Sequence, residues 1–369
     1  MASKLFVFGN IGDLRQLPKG GGGQTSCRRV MQGFQEAGLE IAHVSRHFAE
    51  WKGKLLHVIE VLLFGVIDLF KIFLHLRKED PSRTLFFHMT FSGPLLPYEY
   101  IVTKLVRMMG FKSVMYLQGG QFLHYYNKGG KRYRQLFAKV LNMQECVMFE
   151  GKEGIDLVRA FTSVPLAHFP SYTFNKDIPQ EPPLRPADKI GLIFFGRIDP
   201  NKNVGVIIDC FELLCKKYDN IYLTIIGGPG NSPQYVSDID RKITQSAYAS
   251  HISRYGLSPY PFIKEMMETH HFFVFPTKEP CEGHSNSLSE AMSQGLVPIV
   301  SKHNFNPSIV GNETLVVDSY SPEDYAKAIS TIIEAGDFQR LSQQIIEREV
   351  ELFSYNAVNP AITRMLKAL

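Results

Sequence analysis

Between Phe272 and Val300 the chain can be read as strand, loop, helix, turn and strand. A short apolar run, Phe272–Phe275, ends at Pro276. Small and helix-forming residues follow, then Gln294-Gly295, then Val297-Pro298-Ile299-Val300. Apolar runs of that length bounded by turn residues predict buried strands joined by a helix. The pattern commits this part of the chain to an α/β sheet. Two carboxylates flank the start of the helix. Glu282 is expected in the loop after the strand, and Glu290 in the first turn of the helix. A helix N-terminus offers unpaired N–H groups and a positive dipole end, so an anion can lie there. A carboxylate on either side of that anion can hold sugar hydroxyls, which suits a sugar joined to a phosphate. The same residues also spell Ser287-Leu288-Ser289-Glu290, an S-x-x-E capping box that starts a helix and does nothing more.

The first half repeats the alternation. Lys4–Gly9 predicts a strand, followed by a loop containing Gly20, Gly21, Gly22 and Gly23. A helix is expected from Thr25 to Ala37, closed by Gly38, and Leu39–Ser45 predicts the next strand. Strand, glycine loop, helix and strand make a mononucleotide-type unit whose glycines let backbone approach a ligand. The run is not G-x-G-x-x-G, so it does not point to a dinucleotide. Leu55–Leu76 is the most apolar long stretch. It holds Glu60, Asp68 and Lys71, which disfavour a membrane span. It predicts a long helix packed on the sheet, or an interfacial helix flanked by Lys52, Lys54, Arg77 and Lys78. Further strands are expected at Leu85–Met89, Ser113–Leu117 and Cys146–Phe149, the last clear one of this half. The loop after Leu117 carries Gln118, Gly119 and His124. Ligands sit at the carboxyl ends of strands in open parallel sheets, which places these loops at a site.

Pro179, Pro182, Pro183 and Pro186 stand among polar residues. That composition predicts a linker over 176–188 between a first domain, 1–175, and a second, 189–350, with a helical segment at 351–369. In the second half Lys189–Phe195 predicts a buried strand running into Gly196, Arg197 and Lys202 before a helix. Arg forks onto phosphate oxygens and Lys supplies a point charge, so this pair can clamp a diphosphate. Ile221–Ile226 and His251–Tyr255 predict two more strands.

Charge is uneven. Residues 1–170 hold 22 Lys and Arg against 13 Asp and Glu, and the remainder 18 against 23. The basic half suits anionic partners such as a membrane lipid or lipid-linked diphosphate. Tyr125–Arg134 interleaves aromatics with cations, a mixture also found in nucleic-acid binders. The five cysteines lack C-x2-C spacing, which argues against a zinc site or a disulfide framework and favours a reducing compartment. The opening residues do not follow the signal-peptide pattern. The expected location is cytoplasmic, or peripheral on the cytosolic face of the membrane.

The order Gly196-Arg197-x4-Lys202, then Glu282-x7-Glu290 with Ala291-Met292, Gly295 and Val297-Pro298, resembles the retaining GT-B glycosyltransferases of the GT4-type family. The resemblance implies two Rossmann-like α/β domains with a cleft between them, and a last helix that packs back on the first domain. It implies transfer of a hexose-type sugar from a nucleotide-sugar donor to a glycan or lipid-linked acceptor, as in polysaccharide, O-antigen or glycolipid assembly. Arg197 and Lys202 would neutralise the leaving diphosphate, helped by the Gly196 backbone and the amides of Ser287 and Leu288. Glu282 would hold donor-sugar hydroxyls and Glu290 the ribose. Gly283, His284, Ser285 and Asn286 would line the donor, and Tyr255 and Gly256 the nucleobase. Gly21, Gly22 and Gly23 would border the donor phosphates and the acceptor. Family members place a histidine near the donor sugar; here Gln118, Gly119 and His124 stand in that region. No metal, no other cofactor and no nucleic-acid partner are expected. Two other readings stay open, a nucleotide-sugar epimerase or hydrolase and a non-catalytic binder of nucleotide-sugar or nucleic acid.

Overall fold

The computed structural model describes residues 2–16, 22–47, 54–230 and 232–369. They form two units, Met1–Ser171 with Val358–Leu369, and Tyr172–Ala357.

In the first unit the elements run β1 (Lys4–Gly9), α1 (Gly22–Glu36), β2 (Glu40–Ser45), α2 (Lys54–Leu76), β3 (Thr84–Thr90), α3 (Leu96–Met108), β4 (Ser113–Leu117), α4 (Gln121–Lys128), α5 (Lys131–Leu141), β5 (Cys146–Phe149), α6 (Lys152–Val158) and β6 (Leu166–His168). Their sheet has the order β2-β1-β3-β4-β5-β6, parallel throughout. Strands covered on both faces read as unbroken apolar runs, and β3, β4 and β5 are buried at every position. On one face Phe6 and Phe8 pack with Ile72 and Leu76 of α2 and Val102 and Val106 of α3. Beyond them, Met115 and Val147 pack with Phe137 and Val140 of α5. Phe34 of α1 packs edge-on against Phe87 from the other face.

The second unit runs β7 (Ile190–Phe195), α7 (Val204–Cys215), β8 (Ile221–Ile226), α8 (Pro233–Gln245), β9 (Ile252–Tyr255), α9 (Tyr260–Thr269), β10 (Phe272–Phe275), α10 (Asn286–Ser293), β11 (Val297–Ser301), α11 (Asn306–Val310), β12 (Val316–Val317), α12 (Pro322–Ala335) and α13 (Phe338–Phe353). Its sheet has the order β12-β11-β10-β7-β8-β9. Chain order reverses direction between β7 and β10, which pair in parallel. A crevice forms outside the carboxyl ends of strands at such a switch point. The last helix, α14 (Tyr355–Ala368), carries Pro360, and from Val358 onward it belongs to the first unit, where Lys367 donates to the Ala37 carbonyl at 3.0 Å.

Several sequence expectations change. Helix α1 begins at Gly22, so the last two glycines of the run lie in its first turn. A further strand, β6, follows Cys146–Phe149 and adds an edge to the sheet. His124 sits in α4 and not in a loop. The break between the last two helices falls at Ser354, whose hydroxyl bonds back to the Val350 carbonyl at 2.7 Å.

Candidate active site

The second unit's switch point collects the predicted charges. Strand β7 ends at Phe195 and is followed by Gly196, whose φ of 151° suits glycine. Across from it stands Gly227, φ 154°, at the end of β8; a Cβ there would overlap the Gly196 carbonyl oxygen. Two glycines thus let the exits of β7 and β8 touch. Ile198 then pairs with the turn after β8, its amide donating to the Gly228 carbonyl at 2.9 Å, while the Gly230 amide donates to Ile198 at 3.1 Å.

Asp199 opens a single 3-10 turn, Pro200–Lys202, and its carboxylate accepts the Asn201 amide at 2.9 Å. Asn203 follows in the left-handed region at φ 58° and starts α7. This turn aims Lys202 inward. Lys202 is 8% exposed, its ammonium lies 5.0 Å from the centroid of Phe275, and it forms an ion pair with Glu282. Arg197 stays 40% exposed at its side chain, with Asp199 at 3.5 Å as its carboxylate neighbour.

Glu282 is 9% exposed and takes a second hydrogen bond from the Thr277 hydroxyl at 2.9 Å. The loop that carries it is tied down on both sides. The Lys278 amide donates to the Asn201 carbonyl at 2.8 Å, and the Asn304 side-chain amide donates to the Glu282 carbonyl at 3.0 Å. Thr277 and Asn304 were not singled out from sequence. Thr277 follows the strand-ending proline directly, which is the signal that could have found it.

Helix α10 begins one residue after Ser285, its N-cap. Glu290 is therefore the fifth helical residue, in the second turn rather than the first, and Ser287 is not the cap of an S-x-x-E box. Glu290 is buried at 8% exposure. The amides of Ser287 and Leu288 belong to the first turn, where helix geometry supplies no acceptor. The Ser287 hydroxyl lies 3.7 Å from where a Cβ on Gly196 would stand, so this helix end abuts the exit of β7. His284 is only 4% exposed; its Nε2 is 2.8 Å from the Ser289 hydroxyl and its ring meets Phe353 edge-on. That places it as a brace of the loop. Gly283 lies beside it in the same loop, and Asn286 opens the helix. At the end of β9, Tyr255 is 39% exposed with its ring edge-on to Phe262, and Gly256 has open space where a side chain would be.

The first unit holds the remaining predicted residues. Gln118 is 1% exposed and its side chain is consumed by α1, donating to the Ser26 hydroxyl at 2.8 Å and accepting from the Cys27 thiol at 3.5 Å. Burial pushes that thiol up to about 12, so it remains a neutral donor. Gly119, at φ 68°, gives its amide to the Glu150 carboxylate at 2.6 Å. Glu150 is buried at the end of β5 and also takes the Tyr116 hydroxyl at 3.4 Å. His124 is half-buried with its ring against Tyr125. Gly22 and Gly23 lie at the start of α1, where a Cβ on Gly23 would press the Phe91 ring at 2.8 Å. Gly21 lies outside the described residues. Among the described residues no group of three His, Cys, Asp or Glu is arranged to hold a metal ion.

Comparison with known proteins follows the same division. Residues 175–349 match the family Glycosyl transferases group 1. Over 151 residues the chain is 21% identical to a phosphatidylinositol N-acetylglucosaminyltransferase component from Arabidopsis thaliana, a match covering 41% of this chain and 32% of that protein. Among solved structures, sucrose-phosphate synthase from Thermosynechococcus elongatus is similar with a TM-score of 0.74 at 14% identity, over 99% of this chain and 98% of that one. Anabaena HepE in complex with UDP and glucose is similar with a TM-score of 0.71 at 13% identity, over the whole of both chains. The fold is therefore that of GT-B glycosyltransferases, two Rossmann-like α/β units, and residues 175–349 of the second are similar to the glycosyl transferases group 1 family.

Proposed function

We propose that the protein is a glycosyltransferase that moves a hexose-type sugar from a nucleotide-sugar to an acceptor hydroxyl, with retention at the anomeric carbon. The observation that supports this best is the meeting of Lys202, Glu282, Gly196 and the α10 N-terminus at the β7/β10 switch point. Arg197 and Lys202 stabilise charge growing on the diphosphate, and the Ser287 and Leu288 amides add to it; preorganised electrostatics of this kind is usually the largest catalytic contribution. Glu282 turns from Lys202 to the donor-sugar hydroxyls when the donor enters, and Glu290 takes the ribose. Tyr255 offers a ring for the base beside the open backbone of Gly256. The bond from the anomeric carbon to the leaving phosphate oxygen breaks. The acceptor oxygen bonds to that carbon on the same face, and its proton passes to the departing phosphate.

The donor reading is supported by a fold neighbour, Anabaena HepE, that was solved with UDP and glucose. The cationic first unit favours a glycan or lipid-linked acceptor bearing phosphate, as in polysaccharide, O-antigen or glycolipid assembly. Thermal shift against UDP-, GDP- and ADP-sugars names the donor. Product NMR with that donor and a lipid-linked acceptor then reads the anomeric configuration. Stabilisation by none of the three classes, or free sugar as the sole product with acceptor present, overturns the proposal.

A further inference from the structure

Among the described residues, helix α2 is partnered on one side only. Its inner side is fully engaged. Ile72 and Leu76 are buried against β1 and β3, and Asp68 is buried where it accepts the His47 amide at 3.0 Å and pairs with the His47 ring. A Cβ on Gly65 would lie 3.4 Å from the Tyr98 ring of α3. The outer side carries Ile59, Leu62, Leu63, Val66, Phe70 and Phe73, which are 42% to 65% exposed. Their spacing of three and four residues places them on a single stripe. The neighbouring helix α3 extends the patch with Ile101, 50% exposed, and Met108, 72% exposed, while Lys104 stands between them on the same face. Among the described residues nothing covers this surface. Contiguous exposed apolar area on this scale marks an interaction face.

We propose that this face docks on an anionic lipid bilayer, with α2 lying in the plane of the headgroup–acyl boundary. Charge selects the occupant. Lys104 of α3 and Lys131 and Arg132 of α5 are all exposed. Among the described residues α2, α3 and α5 present no exposed carboxylate to oppose them: Glu60 is half-buried, and Asp68 and Glu99 are buried. A second copy of the chain would meet these cations with its own. A bilayer takes the apolar stripe into its acyl chains and pairs the cations with anionic headgroups. Spanning is not an option for this helix. Among the described residues no helix is long and apolar enough to cross a membrane, and Asp68 and Lys71 are committed to His47 on the inner side.

The inference concerns the first unit and does not depend on the sugar-transfer proposal. The test is flotation of the full chain with vesicles of phosphatidylcholine, alone or with about 30% phosphatidylglycerol. The wild type is expected to float with the anionic vesicles and more weakly with the neutral ones. Leu62→Glu with Val66→Glu lowers partitioning at least about tenfold, because two apolar side chains leave the acyl region. Its melting temperature stays unchanged, since both positions face solvent. Lys104→Glu weakens binding to anionic vesicles only, and salt has the same effect. Failure of the wild type to float with anionic vesicles at low salt overturns the inference, as does wild-type flotation by the double variant. A dimer in gel filtration that Val66→Glu dissociates, without vesicle binding, assigns the face to a second copy and equally overturns it. Vesicle binding is read without sugar turnover, so this result and that of the donor screen stay separable.

Discussion

Lys202 and Glu282, eighty residues apart in the chain, form an ion pair at the carboxyl ends of β7 and β10, with each side chain 10% exposed. Thr277 supplies the carboxylate with a second donor, so the acid is held by a cation and a hydroxyl at once. Removing one member leaves the other charge buried without its partner. Lys202→Met is expected to lower unfolding free energy by about 3 kcal/mol, as breaking buried pairs commonly does. Glu282→Gln keeps the shape and the Thr277 bond, so it costs less stability. Both variants are expected to lose turnover by about a hundredfold or more. Denaturant melts beside initial rates check this; full turnover in Glu282→Gln would remove Glu282 from the proposed site.

Arg197 is the accessible half of the proposed clamp. Arg197→Ala should leave the melting temperature unchanged and reduce turnover about a hundredfold. Arg197→Lys restores the charge but not the planar fork, so only part of the loss returns. A series of kcat and KM values for the three proteins decides it. Equal kinetics in all three would show that this guanidinium does not meet the donor.

Gly227 leaves no room for a side chain beside the Gly196 carbonyl. In Gly227→Ala the new Cβ would overlap the Gly196 carbonyl, and a φ of 154° adds backbone strain. The exit of β8 has to move, at a cost of at least about 3 kcal/mol. Gly256→Ala meets nothing within 4 Å and serves as the silent control. Calorimetric melting of the two variants makes the comparison.

His88 lies fully buried in β3 between Phe8 and Phe86, and among the described residues neither ring nitrogen has a hydrogen-bond partner. Burial, with Arg46 nearby, holds its pKa down to about 3. Burial likewise lowers His168, His270 and His271 to about 4. For a base with a lowered folded-state pKa, the unfolded chain binds the proton first. Stability is therefore complete above the unfolded value of 6.5 and falls as pH drops toward 4. Each such histidine adds up to about 1.4 kcal/mol per pH unit to that slope. Glu99 acts in the opposite sense, since burial raises its carboxyl. His88→Leu should flatten the acid slope and leave stability at pH 7 unchanged or higher, because no hydrogen bond is lost. Chemical denaturation at pH 7, 6 and 5 measures both slopes.

Tyr255 presents an exposed ring beside Gly256 and Leu257, itself 64% exposed. Tyr255→Ala is expected to raise the donor KM about tenfold and leave kcat near its wild-type value, the signature of binding lost equally from ground and transition states. An unchanged KM would move the base elsewhere.

Sequence alone was enough to find the central strands, because a strand covered on both faces has to be apolar along its whole length, as Phe86, Met115, Ile193 and Val274 are, whereas the half-buried edge strand β6 carries no such run. It was enough, too, to give the order of Arg197, Lys202, Glu282 and Glu290, since the first three stand in loops just past the ends of β7 and β10 and Glu290 follows in the next helix. Only the tertiary structure decided what those side chains touch. Gln118 and His124 both stand after β4, yet Gln118 is spent on Ser26 and Cys27, contacts 92 and 91 positions away. Lys202 answers to Glu282 in the same long-range way. The start of α10 after Ser285 and not after Ser287 was also beyond reach, because both serines are equally good cap residues in the sequence. Periodicity showed that α2 has an apolar stripe. It could not show that the stripe lies open, since a helix facing a core and a helix facing lipid carry the same pattern, and the difference lies in what the rest of the chain places against it.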